Sequence, residues 1–417
     1  MLNSINTRKY SRGETLFSLY LPFAFLLVQY GYGLGNIMLT YCILFSGYCI
    51  MKYNEFPVFK PLSVYTIWYA LVLLSTVLVF GQESNLGFWF RWIQVIISGY
   101  CVAIIAKHLD KDALYRCWKL VGLIVCAVVA YQFFRIYVLH QAVIPIRLLP
   151  VRSEQLMRLK NWTASTNRPV AFFTEPAMVV AFLTPVLIFA QQKRESGIAI
   201  IVSLAILLSG STSGVIALVI IWGAALFSYN LSKASQFFVI LLFIAAVIVF
   251  LNSSLFSVSL EKITYELSGN SANMSVRTTR GWRVFGALDT RSKLFGINDY
   301  EISRFVYGNA SEFTWQTGFE DNFYLNTAQR ILIQTGLVGA VLYFWMLIKL
   351  WIMTERRIKP YLLVVIVSMF FASNFYTNGM FVMQFIVLLS NLKIFGSTNE
   401  VKVNNIKQRY YVQEVHQ

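Results

Sequence analysis

The sequence predicts an all-α polytopic membrane protein with about 12 transmembrane helices and two large external loops. Three observations lead there. Of 417 residues, 57% are apolar and only 13% charged, with mean hydropathy +0.60, a balance that soluble domains do not keep. Apolar runs of about 20 residues, enough to cross a ~30 Å hydrocarbon layer as a helix, recur along the chain. Lys and Arg fall in alternate short loops, as the bias towards basic cytoplasmic loops requires.

The spans read as 16–34, 35–52, 62–81, 86–106, 117–138, 170–191, 197–210, 213–229, 236–252, 328–352, 360–376 and 378–396. Arg8, Lys9 and Arg12 precede the first run, which has no small-residue cleavage site, so it reads as a retained span rather than a signal peptide. Gly31, Gly33 and Gly35 divide the first pair of spans. The run Gly210-Ser211-Thr212-Ser213-Gly214 divides 197–210 from 213–229. The chain therefore falls into five spans over 1–138, a basic external loop over 139–169, spans six to nine over 170–252, a large external loop over 253–327, spans ten to twelve over 328–396, and a cytoplasmic tail over 397–417.

Loop charge sets the orientation. With the N-terminus inside, the inner loops hold Lys52, Lys60, Lys107, Lys111, Arg116, Lys119, Lys193, Arg194, Lys233, Arg356, Arg357 and Lys359, and the tail adds Lys402, Lys407 and Arg409. The short outer loops near residues 34, 83, 212 and 377 hold no Lys or Arg. Basic inner loops and the tail account for most of the net charge of +16, and no soluble basic region exists to bind nucleic acid.

Cys42, Cys49, Cys101, Cys117 and Cys126 lie in or beside apolar spans, which supports neither a disulfide framework nor a thiolate metal site. The chain has three His and no Walker loop, HExxH, GxSxG or SxxK motif, so metal-centred or triad chemistry is not predicted. No cofactor is expected.

The first external loop departs from the charge rule. It carries Arg147, Arg152, Arg158, Lys160 and Arg168 against one acid, Glu154. Basic residues on the disfavoured side suggest an anionic substrate handled on the outer face. Arg91, Arg135, Glu175 and Arg330 fall inside spans near their outer ends, where a buried charge costs about 3 kcal/mol or more and so faces a cavity or a partner. Snorkelling to the interface is the plain alternative for the arginines. Glu175 is too short to snorkel and needs a cation, of which Arg168 is the nearest in sequence. In the second loop Arg277, Arg280 and Arg283 recur every three residues, one helical face of guanidinium forks that match phosphate oxygens. Against this, the loop's eight Asp/Glu for seven Lys/Arg also suit a solvated face.

Four segments in order resemble the bacterial repeat-unit polymerases of O-antigen and capsule, and more distantly the O-antigen ligases. They are Arg168-Pro-Val-Ala-Phe-Phe-Thr-Glu175-Pro-Ala, then Leu208-Ser-Gly-Ser-Thr-Ser-Gly214, then the Arg277–Gly296 region, in which Arg280 and Gly296 have fifteen residues between them. The last is Asp321-Asn-Phe-Tyr-Leu325 followed by Gln334-Thr-Gly-Leu-Val-Gly339. Ligase-like members often have His where this chain has Asp321 and Arg where it has Thr212, which favours polymerase over ligase.

The resemblance implies a GT-C-like membrane glycosyltransferase in the bacterial inner membrane, with its active site facing the periplasm. Its substrate would be an undecaprenyl-pyrophosphate-linked oligosaccharide, transferred to a sugar hydroxyl of a second lipid-linked unit. A chain-length regulator, a flippase and membrane lipid would be its partners. Arg168, Arg277 and Arg280, with Arg283 and Arg91, would hold pyrophosphate without a metal. Asp321 is the favoured base, and Glu175 is either a partner of Arg168 or a second candidate base. Asn322 and Tyr324 would contact the substrate. Trp162, Trp282 and Trp315 read either as sugar-stacking platforms or as interfacial anchors. A flippase of the same lipid-linked units is the rival reading, although the chain shows no internal repeat.

Overall fold

The computed structural model describes residues 10–28, 31–32, 35–80, 86–141, 146–149, 168–228, 280–297, 302, 305–306, 308–309, 325–370 and 379–392. Among these the regular secondary structure is helical apart from a two-residue antiparallel ladder, Gly31–Tyr32 with Gly35–Asn36, at the predicted glycine divide, and an isolated bridge between Thr354 and Leu392. The helices are α1 Arg12–Leu26, α2 Ile37–Tyr53, α3 Lys60–Phe80, α4 Leu86–His108, α5 Lys111–Tyr137, α6 Pro176–Gln192, α7 Ser196–Leu208, α8 Thr212–Ser228, α9 Arg280–Ala287, α10 Thr290–Phe295, α11 Thr327–Met353, α12 Lys359–Ser368 and α13 Gly379–Ser390. A described helix lies within or across every predicted span except 236–252, which is outside the described residues.

Among the described residues, three helical stretches, Phe88–His108, Lys111–Tyr137 and Thr327–Met353, are long and apolar enough to cross a membrane. Shorter apolar helices, among them α2, α6, α7 and α13, pack around them. The outer surface agrees with that length. Leu337, Val341, Phe344, Ile348 and Ile352 are all exposed and recur along one stripe of α11. Soluble monomers rarely expose so much contiguous apolar surface, whereas a hydrocarbon solvent favours it. Inside, one continuous core includes Phe25, Trp118, Phe182 and Tyr343, each fully or almost fully buried. A second, smaller core of Val284, Leu288, Ile297, Ile302, Val306, Leu325 and Ile333 ties α9 and α10 to the start of α11.

Helix caps explain the boundaries. Ser11 and Glu14 form a capping box at α1, Asp110 caps α5 through the Ala113 amide, and Asn326 with Gln329 forms a second capping box at α11. Two boundaries correct the sequence expectation. The run 170–175 is apolar but not helical, because α6 begins at Pro176, whose missing N–H suits a first-turn position. Glu175 is therefore the N-cap residue of α6 rather than a residue inside a span. Gly336, with φ +68°, breaks α11 into two segments where an unbroken span is predicted.

Ion pairs and polar contacts mark one end of the bundle. Glu14 at the start of α1 is fully buried; its carboxylate lies 3.0 Å from His108 Nδ1 and accepts from Tyr53 Oη at 2.7 Å and the Ser11 amide at 2.8 Å. Thr15 donates to Asp110, and Tyr53 stacks on His108. Lys119 pairs with Glu195 at 3.0 Å, Lys193 with Asp112 at 2.6 Å, and Lys107 with Glu55. Lys111 donates to Asn391, and the Glu355 amide to the Asn391 carbonyl. These contacts gather the starts of α1, α5 and α7 with the ends of α2, α4, α6, α11 and α13. Chain direction then places the end of α5, the start of α6, the α7–α8 turn, the start of α11 and the end of α12 at the opposite end.

Candidate functional site

At that opposite end, and deeper along α11, two joints bring together segments that are far apart in sequence. The first is built on Gln132, almost wholly buried in α5. Its Oε1 accepts from the Val170 and Ala171 amides at 2.9 and 2.6 Å, and its Nε2 donates to the Ala171 carbonyl at 3.2 Å. These bonds satisfy a buried non-helical backbone and hold Ala171 at φ +50°, a left-handed conformation uncommon for a residue with a Cβ. Arg168, three residues earlier, is thereby laid over the α7–α8 turn. Its Nη1 donates to the Gly210 carbonyl at 3.1 Å. Gly210 has φ +63°, and a Cβ there would stand 3.3 Å from Arg168 Cδ. Ser211 and Ser213 share a hydroxyl hydrogen bond of 2.8 Å in the same turn. Tyr137, at the end of α5, lies within electrostatic reach of Arg168.

The second joint is backbone against backbone. Gly296, at the end of α10, has φ +86°, and a Cβ there would meet the Gln334 carbonyl oxygen at 2.5 Å. Gly336 answers it: a Cβ at that position would meet the Leu294 carbonyl oxygen at 2.2 Å. The break at Gly336 leaves carbonyls of the first segment of α11 to be satisfied from outside the helix. The Ile297 amide donates to the Ile333 carbonyl at 2.9 Å, and Trp68 Nε1 from α3 donates to the Thr335 carbonyl at 2.9 Å. Higher on the same face, Gly281 of α9 packs so closely on Gln329 that a Cβ would overlap its side chain.

The predicted site residues divide accordingly. Arg168 is part of the first joint, and Glu175 caps α6 a few residues on. Arg280 opens α9, and Arg283 is exposed on the same short helix. Arg91 is half-buried in α4. Arg277, Asp321, Asn322 and Tyr324 lie outside the described residues, as do Trp162 and Trp315 and the side chain of Arg280. Asp321 precedes by five residues the Asn326 cap, whose Nδ2 donates to the Phe370 carbonyl at 3.1 Å. The Ala328 amide bonds the Met369 carbonyl, so the start of α11 is fixed to the end of α12, which in turn packs along α8 and α6. That chain of contacts links the two joints.

Arg135 fits the interfacial reading. It donates twice to Gln141 Oε1, at 2.9 and 2.7 Å, and rests over Tyr131. Arg330 and Gln334, one turn apart on α11, each bury a nitrogen (Nε and Nε2) that has no acceptor among the described residues, an uncommon state for buried donors.

Gln132, Trp68 and Gln334 escaped the sequence reading. They carry no charge, and a neutral amide within an apolar run is the signal that marks Gln132 and Gln334. Models of known protein families and a search of curated proteins give no match to this chain.

Proposed function

We propose that the protein is a polysaccharide polymerase that joins polyprenyl-pyrophosphate-linked oligosaccharide repeat units on the outer face of a bacterial inner membrane. One observation carries the reading. The four segments that resemble the family, scattered from residue 168 to 339, come together in pairs: Arg168 on Gly210 at one end of the bundle, and Gly296 on Gly336 deeper along α11. Motifs fixed only by chance would have no reason to interlock.

The chemistry needs developing phosphate charge to be stabilised and an acceptor hydroxyl to be deprotonated or oriented. Arg168, Arg277, Arg280 and Arg283 supply guanidinium forks for a pyrophosphate leaving group, and Arg91 supplies a further cation. Asp321 acts as base on the acceptor hydroxyl, with Glu175 ordering the Arg168 segment or sharing the role. About 12 spans, with loops 139–169 and 253–327 outside, fit the ion-paired, lysine-rich end as the cytoplasmic one.

A second reading has one observation in its favour. A helix interrupted in its apolar stretch, as α11 is at Gly336, is characteristic of transporters, which fits a flippase for the same lipid-linked units. Complementation of a deletion strain separates the two. Asp321→Asn at matched expression should leave single repeat units on lipid at the outer face and no long polymer, while Glu320→Gln keeps a normal ladder on gels. A normal ladder from Asp321→Asn removes it as the base, and lipid-linked units trapped at the inner face favour the flippase.

A further inference from the structure

We infer that the α9–α10 hairpin is a re-entrant element: it dips from the outer face to about the middle of the bilayer beside α3 and α11 and binds membrane lipid through its own surface. Its depth follows from two contacts. Gly281 meets Gln329 near the start of α11, whereas Gly296 meets Gln334 and Gly336. The hairpin thus descends along α11 by ~10 Å at the ordinary helical rise. At its lower end the Phe295 ring lies 6.1 Å from that of Trp68. Trp68 is only eight residues, or ~12 Å of helix, from Lys60 at the ion-paired end, so Phe295 sits well inside a ~30 Å apolar layer.

The surface chemistry matches that depth. Trp282, Leu294 and Phe295 are 54%, 39% and 49% exposed, although Val284, Leu288 and Ile297 of the same hairpin are buried in a core shared with α11. Exposed aromatic and aliphatic side chains at this level meet acyl chains rather than water. Arg283 and Arg291 are exposed and Lys293 is partly exposed on the same hairpin. Their long stems let the charges rise to lipid phosphates while the apolar side chains stay below. Non-helical backbone is tolerated at membrane depth only where protein satisfies it. The bond from the Ile297 amide to the Ile333 carbonyl and the glycine-to-glycine joint do this. The occupant is outer-leaflet phospholipid, with acyl chains against Trp282, Leu294 and Phe295 and phosphate against the basic residues.

This rests on the membrane placement and not on polymerase chemistry, so its test needs no glycan. The full chain, with its five native cysteines replaced, takes a nitroxide label at Phe295→Cys or, as reference, at Asp289→Cys, and is reconstituted in phosphatidylcholine–phosphatidylglycerol vesicles. Collisions with oxygen and with a water-soluble nickel chelate are then compared. The label at 295 should collide with oxygen and not with the chelate, and the label at 289 with both. Adding Gly336→Ala should restore chelate collisions at 295 while a label at Leu120→Cys on α5 stays protected, which shows that the bundle remains inserted. Leu294→Cys replaces the 295 site if that variant is not made. Chelate collisions at 294 or 295 equal to those at 289 in the unmodified joint would overturn the re-entrant placement.

Discussion

The two ends of this bundle are held by different means. One end is closed by side chains: Glu14 meets His108, and Lys119 pairs with Glu195, Lys193 with Asp112 and Lys107 with Glu55. The other is closed on backbone, by Gln132 on a strained segment and Arg168 on a glycine carbonyl, with Gly296 against Gly336 deeper along α11. Charges spent on one another at the first end are not available for a ligand. At the second end Arg168 is placed by amide and carbonyl contacts, which need few acids. The proposed anion chemistry would sit at that end, so substitutions at the two ends should fail in different ways.

The largest effect is expected from Gly336→Ala. A left-handed φ costs a residue with a Cβ about 1–3 kcal/mol, and forcing a methyl group into packed backbone about 1–3 more. Together, about 4 kcal/mol should unseat α9 and α10 and abolish polymer, read as a lost ladder with protein still in the membrane. A normal ladder from this variant would mean that the joint does not position the arginines.

Next comes Gln132→Ala. It strips two amides and a carbonyl of their partner, and at about 1 kcal/mol or more per buried group the total is about 3 kcal/mol. The apparent unfolding midpoint in detergent should fall, and chain length should shorten because Arg168 loses its seat. A fall in stability with an unchanged ladder would detach Arg168 from function.

At the ion-paired end, Glu14→Gln keeps an acceptor for Tyr53 and the Ser11 amide but weakens the contact with His108. About 2 kcal/mol of stability should go, with no change in chain length at matched expression. A changed ladder would break the division of labour between the ends.

The smallest effect is expected from Lys119→Ala, at most about 1 kcal/mol for a partly exposed pair. Its pH dependence carries the sign. The Lys119 hydrogen bond, opposed by partial burial and aided by Tyr115 and Lys193, holds the Glu195 carboxyl below its ordinary range. A carboxyl lowered on folding stabilises above its unfolded value, and that contribution is lost as pH falls through the folded value. The gap in unfolding midpoint between the parent and Lys119→Ala should therefore be constant near neutrality and close in acid.

Hydropathy made the helix positions legible because each apolar run had to find a hydrocarbon or protein neighbour. It could not locate the start of α6, since Val170, Ala171 and Phe173 are buried in non-helical backbone and look like helix by composition alone. Nor could it find the break at Gly336, where flanking Leu and Val keep the run apolar while φ reverses. The motif segments were visible as residues, yet their pairing was not. Arg168 meets a carbonyl, and the two glycines meet through atoms that every residue carries, so no side-chain pattern announces either contact. Glu14 and His108, 94 positions apart, are hidden for the same reason of distance.

The central claim is that the backbone-held end polymerises lipid-linked glycan. Purified protein reconstituted alone in vesicles, given polyprenyl-pyrophosphate-linked repeat units, tests it most directly by following product length on gels. The account expects chains of several repeats from the parent, with near-complete loss in Arg280→Lys, since an ammonium lacks the two-pronged fork. Units that cross the bilayer without being joined, or chains of normal length from Arg280→Lys, would contradict it.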